Sequence, residues 1–312
     1  MASFIQKYRD ASGNTQASVL MTIGMGAYVT NDTLVRLAVD DLPLYEAVAL
    51  RGITITVLVG LWLRITGVSL ELAIFRHPAM IVRIVSEVGL TIVYLNTLLH
   101  LELANITAIM QVMPLTVTFA AAMFLGETVG WRRYVAIGIG FIGVLIIVRP
   151  TSDGFSGWSA LVLVAVLLLT IRDLATRWLP TEIPSLVIAW TTAVSITAMG
   201  LVLSVGQGWE TPTSRPVALL VVAALCLVIG YFTGVQTVRI GDIAASAPFR
   251  YTVLIWGILL GYFVFDESPD APTLIGAVVI VGASLYSLHR ERVVKRRAAT
   301  ASGSTLLGNH TD

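Results

Sequence analysis

Residues Asn31–Pro43, NDTLVRLAVDDLP, and residues Arg172–Pro184, RDLATRWLPTEIP, carry the same layout of charges and prolines. In each stretch an acid is followed four residues later by an arginine, and then by a second acid and a proline. A shift of 141 residues lays Asp32 on Asp173, Arg36 on Arg177, Asp41 on Glu182 and Pro43 on Pro184. A shift of 140 lays Glu102 on Asp242 and Glu127 on Glu267. Matched positions at a nearly constant shift predict two related halves.

The composition is that of a protein embedded in lipid. Of the 312 residues, 56% are hydrophobic and only 12% are charged, and the mean hydropathy is +0.84. Soluble domains carry about 25% charged residues, so this chain lacks the polar residues that would cover a water-exposed surface. No basic run is interleaved with aromatic residues, which argues against a nucleic-acid partner. The single cysteine, Cys226, excludes an internal disulfide.

Ten apolar stretches are long enough to cross the hydrocarbon core of a bilayer, which takes about 20 residues of helix. They are called spans 1 to 10 and cover approximately residues 18–38, 43–63, 79–99, 104–125, 132–149, 158–178, 184–205, 217–238, 243–264 and 272–289. Their continuous apolar character differs from the alternating pattern of membrane-spanning strands. The sequence therefore predicts an all-α integral membrane protein with ten transmembrane helices.

The basic residues predict the orientation of these spans. With the N-terminus in the cytoplasm, fifteen of the 20 Lys and Arg residues fall on the cytoplasmic side and three on the other side. Cytoplasmic loops of membrane proteins are enriched in Lys and Arg. We therefore expect a multi-pass protein of the bacterial inner membrane with both termini in the cytoplasm. Because the N-terminal segment is too polar for a cleaved signal peptide, span 1 should be retained.

The two related halves should be inverted relative to each other. Each half contains five spans, and an odd number makes the second half begin on the other side of the membrane. The expected organisation is a cytoplasmic tail at 1–16, a first five-helix repeat at 17–150, a second, inverted repeat at 151–290, and a basic, disordered cytoplasmic tail at 291–312. Inverted repeats are typical of secondary transporters, because two equivalent halves can open a central site to either side in turn.

The chain resembles the EamA-type transporters of the drug/metabolite transporter superfamily over about residues 17–290. The resemblance is carried by MPLTVTFAAAMFLGETVGWRRYVAIGIGFIGVLIIVRP at 113–150 and its counterpart APFRYTVLIWGILLGYFVFDESPDAPTLIGAVVIVGASLY at 247–286. It implies that spans 1–4 and 6–9 line a central cavity, with spans 5 and 10 at the periphery, where an oligomer could form. It also implies transport of a small organic solute, such as an amino acid or derivative, an S-adenosylmethionine-like compound or riboflavin.

The glycines of the two peripheral spans indicate close helix packing. They are Gly138 and Gly143 in span 5 and Gly276 and Gly282 in span 10. Small residues let two helix backbones approach each other within the membrane.

Ionisable residues within the spans are the first candidates for substrate binding or ion coupling, since charge at membrane depth requires a partner or a wet cavity. Glu87 lies near the middle of span 3, on the same helix face as Tyr94. It is a structural acid, either in an ion pair, with Arg51 of span 2 as the expected partner, or reaching back to the cytoplasmic interface, or else it is a cavity group that binds a substrate cation or carries a coupled proton. Arg250 in span 9 is either a contact for a carboxylate or phosphate or part of an internal salt bridge.

Polar and aromatic residues on the predicted cavity helices extend this candidate site. They are Tyr28, Asn31, Asn96, Trp190, Tyr231 and Gln236, of which Asn96 and Gln236 coincide at the 140-residue shift. Pro114 and Pro248 predict helix breaks in spans 4 and 9, where freed carbonyl groups can line a cavity. The pairs Asp32/Arg36 and Asp173/Arg177 lie at opposite ends of the cavity and are either gating pairs or interfacial anchors.

The sequence lacks the motifs expected of an enzyme or of a protein that binds a cofactor or metal. The chain has no nucleophile elbow, no phosphate-binding glycine loop and no His/Cys set with metal spacing, so no cofactor or metal is expected. Transport would be driven by the gradient of the solute itself or of a coupled proton or other ion. The alternative is an integral-membrane enzyme or receptor, and an enzyme would gather its polar catalytic groups at one membrane face.

Overall fold

Long helices account for nearly all of the chain that the structure describes. This structure, a computed structural model, covers residues 12–69, 72–126, 130–150, 156–180, 182–240 and 246–308. Within these ranges there are α-helices and two short 3-10 helices but no strand. Glu127 and Asp242, used in the repeat comparison, and residues 1–11 of the N-terminal tail lie outside the described residues.

Each predicted span corresponds to a helix or to a pair of helical segments in the described ranges. Spans 1 to 5 are Gly13–Val39, Leu44–Thr66, Pro78–Leu98, the pair Leu103–Met110 and Met113–Phe124, and Trp131–Val148. Spans 6 to 10 are Gly157–Arg177, Ser185–Gln207, Ser214–Ile240, the 3-10 helix Ala247–Tyr251 with Thr252–Phe265, and Ala271–Gly308. The other 3-10 helix, Leu72–Arg76, precedes span 3. The all-α membrane fold is thus confirmed.

Nine of the described spans meet the length and hydropathy expected of a membrane crossing. Span 1, Gly13–Val39, is the remaining long helix. Its second half contains Asn31, Asp32 and Arg36, which lower its hydropathy. These polar groups bond to other spans, so span 1 belongs to the same bundle.

The two prolines of the repeated stretch occupy equivalent positions. Pro43 and Pro184 are the N-cap residues of spans 2 and 7, with similar backbone angles (φ −55° and −63°, ψ 140° and 136°). Proline fixes φ and lacks an N–H, so it can begin a helix without losing a hydrogen bond. Spans 1 and 6 likewise both begin after a serine, Ser12 or Ser156, that accepts a backbone N–H of the first turn. Corresponding helices of the two halves therefore start in the same way.

Both chain ends differ from the expected tails. Span 1 begins at Gly13, within the segment expected to be a polar tail, and span 10 continues as helix through the basic segment to Gly308, where disorder was expected. Arg, Lys, Glu and Ala are favourable helix formers, and no proline follows Pro272 to interrupt span 10. Residues 309–312 lie outside the described ranges.

The packing of the spans is symmetric between the halves. Span 1 packs along span 8 and span 3 along span 6, while spans 2 and 7, 4 and 9, and 5 and 10 pack as pairs. When each span is replaced by its counterpart in the other half (1 by 6, 2 by 7, and so on), the same set of packed pairs results; for example, the pair 1 and 8 becomes the pair 6 and 3. The hydroxyl oxygens of Thr56 and Thr197, which are 141 residues apart, lie 3.1 Å from each other, as expected for equivalent residues beside a two-fold axis. Because each half has five spans, the halves are inverted and this axis lies in the membrane plane.

The span ends define two membrane faces. We call the face at which span 1 begins the N-terminal face, and the face at which it ends the opposite face. By alternation, the connections between spans 1 and 2, 3 and 4, 5 and 6, 7 and 8, and 9 and 10 all lie at the opposite face.

Of the four glycines expected at close contacts, one in span 5 and one in span 10 lie at such a contact. A Cβ atom on Gly276 would lie 2.6 Å from the carbonyl oxygen of Gly143, and one on Gly143 would lie 2.9 Å from the carbonyl oxygen of Gly276. At Gly138 and Gly282 a Cβ atom would meet no atom within 4 Å. The contact face of a helix recurs with its 3.6-residue period, so glycines five or six residues apart need not share it.

Gly276→Ala should destabilise the bundle by about 1–3 kcal/mol, because the new methyl group would press against the Gly143 backbone. Gly282→Ala in the same helix is the matched control and should unfold at the wild-type temperature or above it. Thermal unfolding in detergent measures both. Equal midpoints for the two variants would contradict the proposed packing of spans 5 and 10.

Candidate functional site

A first set of polar residues joins spans 1, 2 and 3 in the half of the bundle next to the opposite face. We call it the Asp32 cluster; its members are Asn31, Asp32, Arg51 and Tyr94. Asp32 Oδ1 accepts a hydrogen bond from the Asn31 amide at 2.9 Å, and Oδ2 accepts one from the Tyr94 hydroxyl at 2.6 Å. Arg51 donates to the Asn31 side-chain oxygen at 3.1 Å, and both residues are buried. Every oxygen of the Asp32 carboxylate therefore has a donor, and a buried cation lies nearby to offset its charge.

A second set, the Asp173 cluster (Arg83, Glu87, Arg172 and Asp173), joins spans 3 and 6 nearer the N-terminal face. Arg172 donates to Asp173 Oδ1 from Nε at 2.9 Å and from Nη2 at 2.7 Å, and to Glu87 Oε2 from Nη1 at 3.1 Å. Arg83 Nη1 lies 3.6 Å from the same Glu87 oxygen. Two cations thus balance two anions. Their side chains remain 13–28% exposed, so this cluster borders accessible space.

The internal repeat relates the two clusters. At the 141-residue shift Asn31 corresponds to Arg172 and Asp32 to Asp173. In both clusters the first residue of this dipeptide donates a hydrogen bond to Oδ1 of the aspartate that follows it. Equivalent aspartates with their own local donors therefore lie towards opposite ends of the space between the halves.

The expected ion pair between Glu87 and Arg51 does not form. Glu87 pairs with Arg172 and Arg83, whereas Arg51 bonds to Asn31. Arg51 lies in the half of the bundle next to the opposite face, and Glu87 lies nearer the N-terminal face. Each charge is therefore balanced by residues at its own depth.

The expected i,i+4 pair of Asp32 and Arg36 is also replaced by contacts to other spans. Asp32 points into its cluster, while Arg36 Nη1 lies 2.5 Å from Glu267 Oε1 and its guanidinium lies 4.2 Å from the centre of the Phe265 ring. Asp173 takes its hydrogen bonds from the neighbouring Arg172. Asp32 and Arg36 thus contact other spans, whereas Asp173 pairs with its neighbour on the same helix.

Three of the remaining candidates are engaged in packing or backbone contacts. Asn96 donates to the Ile92 carbonyl oxygen of its own helix at 2.7 Å. Trp190 packs close to Gly60 of span 2. The Tyr231 hydroxyl donates to the Ser185 carbonyl oxygen at 2.9 Å. Gln236 is half-buried on span 8.

Arg250 lies at the start of span 9, near the N-terminal face, and Tyr28 lies near the middle of span 1. The Tyr28 ring lies against Gly230 of span 8, within electrostatic reach of both Arg172 and Arg250. Arg250 is exposed and forms no hydrogen bond or ion pair with the described residues. It is therefore open to an external anion.

The helices of spans 4 and 9 break at the two prolines. Pro114 follows a turn at Gln111 and Val112, and Pro248 lies in the 3-10 segment that precedes Thr252–Phe265. The Gln111 side chain is 6% exposed, and its amide nitrogen has no hydrogen-bond partner among the residues that the structure describes. Both breaks lie in spans that pack against each other.

Glu46, in the first turn of span 2, was not among the predicted site residues. It is fully buried, with Oε2 accepting the backbone N–H of Glu210 at 3.0 Å and Oε1 without a partner. The contact with the connection between spans 7 and 8 could not be inferred from the sequence, because it joins residues 164 positions apart.

Four polar contacts at the opposite face each link the first half to the second. They are Arg36–Glu267, Arg215–Asp41 at 2.7 Å, Arg149–Asp270, and Glu46 with the Glu210 backbone. Glu267 Oε2 also accepts the backbone N–H of Leu103 at 2.9 Å, so it caps span 4. These contacts join the two halves at the opposite face.

The contacts at the opposite face shift the pKa values of two acids there, Asp270 and Glu102. Burial raises the pKa of the Asp270 carboxyl, but hydrogen bonds from Arg149 and Thr273 outweigh burial and bring the pKa down to about 2. Burial and the nearby carboxylates of Glu267 and Asp270 raise the pKa of Glu102.

Two open grooves lie apart from both clusters. One, of about 450 Å³, is formed by the first turns of span 1 and Phe249 of span 9. The other, of about 460 Å³, is formed by spans 5 and 10 and includes Trp131, Arg132 and Tyr286. Groups of three or more His, Cys, Asp or Glu residues that could hold a metal ion are absent from the described residues.

Ten spans in two inverted halves, meeting around paired charges, define the architecture of a secondary transporter. The sequence matches the EamA-like transporter family at residues 16–149 and again at 156–288. The chain belongs to this family.

Relatives of known name are transporters of different solutes. The chain is 28% identical over 186 residues to the S-adenosylmethionine uptake transporter of Rickettsia bellii, covering 60% of this chain and 64% of the relative. It is 31% identical over 194 residues to the riboflavin transporter of Rhizobium johnstonii, covering 62% and 64%. It is 26% identical over 276 residues to the pseudopaline exporter CntI of Pseudomonas aeruginosa, covering 86% and 94%. The match thus spans slightly less than two thirds of the first two relatives.

A solved structure supports the fold. It aligns with a TM-score of 0.59 at 17% identity, covering 88% of this chain and 97% of the other. The relatives are named as transporters, so the enzyme alternative is not supported.

Asp270→Asn should lower the unfolding temperature at neutral pH, because it removes the ion pair with Arg149. A carboxyl with a depressed pKa stabilises the fold above its ordinary pKa near 3.8, and this contribution is lost as the pH falls towards about 2. The difference from wild type should therefore be constant above pH 5 and shrink in acid, and it should stay below about 1 kcal/mol because the pair is partly exposed. Asp266→Asn is the control. A difference that grows in acid would refute the assignment.

Proposed function

We propose that the protein is a secondary carrier that moves a small organic solute across the membrane by alternating access. The observation that carries this proposal is that equivalent helices of the two halves pack in equivalent pairs: span 1 packs with span 8, and span 6 packs with span 3. Such a pattern gives two equivalent arrangements of the same helices, one open to each face. The names of the relatives support a small solute as the cargo.

The described arrangement corresponds to the state in which the cavity opens to the N-terminal face. The contacts between the halves that are named above for the opposite face are formed, and the Asp32 cluster lies beneath them at the closed end of the proposed cavity. The Asp173 cluster and Arg250 remain partly or fully exposed. The N-terminal face is cytoplasmic in this proposal, and the membrane is the bacterial inner membrane, because basic residues predominate on that face.

The cargo is an amino acid or derivative, an S-adenosylmethionine-like compound or a vitamin such as riboflavin. Arg250 supports a solute with an acidic group, because an exposed guanidinium without an internal partner can bind a carboxylate in bidentate geometry. Tyr28 and Tyr231 would supply aromatic surface beside it. Coupling to a proton or other ion, and an oligomer through spans 5 and 10, are further parts of the proposal.

The division into a first repeat at 17–150 and a second at 151–290 is also proposed. The two separate family matches, at 16–149 and 156–288, support these limits.

Reconstituted vesicles should take up or release at least one member of a panel containing S-adenosylmethionine, riboflavin and the common amino acids, in a saturable manner. Absence of transport in both directions across this panel would argue against the carrier function.

Arg250→Gln should reduce transport of an acidic solute about tenfold or more, because a hydrogen bond to a charged group contributes about 1.5–3 kcal/mol. Arg64→Gln, which removes an exposed arginine at the end of span 2 on the same face, is the matched control and should leave transport unchanged. Equal losses in the two variants would mean that Arg250 contributes only surface charge.

Arg36→Gln should affect transport from the opposite face more than from the N-terminal face, because it removes the contact with Glu267 that closes the opposite face. Vesicles sorted by protein orientation allow both directions to be measured. Arg215→Gln is the control, since its ion pair is largely exposed and should contribute little. Equal effects of Arg36→Gln in both directions would contradict a gating role.

A further inference from the structure

One oxygen of the Asp173 carboxylate lacks a hydrogen-bond donor. Oδ1 accepts two bonds from Arg172, at 2.9 and 2.7 Å, whereas Oδ2 accepts none from the described residues. The Asp173 side chain is 28% exposed, so a ligand can reach this oxygen from the space between the halves.

The other half of the molecule identifies the missing donor. In the Asp32 cluster, Oδ2 of the equivalent aspartate accepts the hydroxyl of Tyr94 from span 3 at 2.6 Å. Span 8 corresponds to span 3 at the 140-residue shift, which lays Asn96 on Gln236 and Tyr94 on Gly234. At the position where span 3 has the Tyr94 phenol, which donates to Asp32 of span 1, span 8 therefore has a glycine and no side chain.

Gly234 faces open space. A Cβ atom placed on it would meet no atom within 4 Å, whereas one on Gly230 would lie 3.0 Å from the Tyr28 ring. Gly234 follows Tyr231 by three residues, and Tyr231 donates to the Ser185 backbone at the start of span 7. Residues three apart share a helix face, so Gly234 lies on the side of span 8 that turns towards span 7.

We propose that the transported solute supplies the missing donor: a protonated amine of the solute binds Asp173 Oδ2 and occupies the volume beside Gly234 that corresponds to the Tyr94 phenol. The inference rests on the proposed transport function. It makes Asp173 a substrate-binding residue and makes the glycine a determinant of specificity.

An ammonium group suits this position better than a neutral or anionic group. A carboxylate oxygen forms shorter and stronger hydrogen bonds with charged N–H donors, and it repels anions. Tyr28 lies within electrostatic reach of both Arg172, which holds Asp173, and the exposed Arg250. A solute that carries an ammonium group and an acidic group could therefore contact both Asp173 and the exposed Arg250.

The difference between the halves also links binding to closure. At the opposite face, Tyr94 completes the contact between spans 1 and 3 without any ligand. At the N-terminal face, bringing span 8 towards span 6 would bury Asp173 Oδ2 without a donor unless the solute is present. A buried acceptor without a partner is unfavourable, so the empty carrier resists closing this face.

Four variants of the full chain test the geometry without any ligand. Gly234→Tyr should raise the unfolding temperature relative to Gly234→Phe, because only the tyrosine hydroxyl can reach Asp173 as Tyr94 reaches Asp32. The same Tyr and Phe substitutions are also made together with Asp173→Asn. In that background the difference in unfolding temperature between the Tyr and Phe variants should become smaller. Equal unfolding temperatures for the Tyr and Phe variants, or an advantage that persists unchanged when Asp173→Asn is also present, would overturn the proposed equivalence.

S-adenosylmethionine, which has an ammonium and a carboxylate group, and riboflavin, which has neither, are the ligand probes. The former should stabilise the wild-type protein against thermal unfolding, and its apparent affinity should fall about tenfold or more in Asp173→Asn and Gly234→Tyr. Riboflavin should bind equally to wild type and Asp173→Asn. No stabilisation by S-adenosylmethionine, or one that does not depend on Asp173, would refute the amine site.

These outcomes separate this proposal from the carrier function. If vesicles transport only solutes that lack an amine, the amine site is refuted and the carrier function stands. If nothing is transported and S-adenosylmethionine still binds in an Asp173-dependent manner, the site is supported and the carrier function fails.

Discussion

An ionised side chain inside a bilayer is stable only when an opposite charge or water lies beside it, and this requirement determines where the helices of this protein touch. The Asp32 cluster satisfies it by joining three spans around a carboxylate and a guanidinium. The Asp173 cluster satisfies it by sharing Arg172 between two acids on two spans. The two clusters are equivalent in part under the repeat, so the same requirement is met towards both membrane faces.

Departures from the repeat carry functional information that the repeat alone does not. Asn31 corresponds to the charged Arg172 at the 141-residue shift, and Tyr94 corresponds to Gly234 at the 140-residue shift. At one end the protein completes its own hydrogen bonds, and at the other it leaves an oxygen and an open volume. A carrier whose ends were chemically identical would close equally well with or without cargo. In the proposed mechanism, this asymmetry allows the solute to take part in closing one end.

The sequence predicts the architecture well because helix length, span parity and repeated spacing are local or periodic properties. Pro43 and Pro184 begin equivalent helices, as the repeat implied. The partners of Glu87 and Arg51 were not predictable in the same way, because ion pairs between spans depend on helix rotation and depth. One signal was present, since Arg172 occupies the repeat position of Asn31 and could have been placed in the cavity on that ground.

The central claim is that the two halves exchange arrangements. Spin-label distances can test it with two equivalent pairs, Leu37 with Leu99 at the opposite face and Trp178 with Arg239 at the N-terminal face. Addition of a transported solute should shorten the Trp178–Arg239 distance and lengthen the Leu37–Leu99 distance in the same population of molecules. Distances that stay fixed, or that change in the same direction at both faces, would contradict the account.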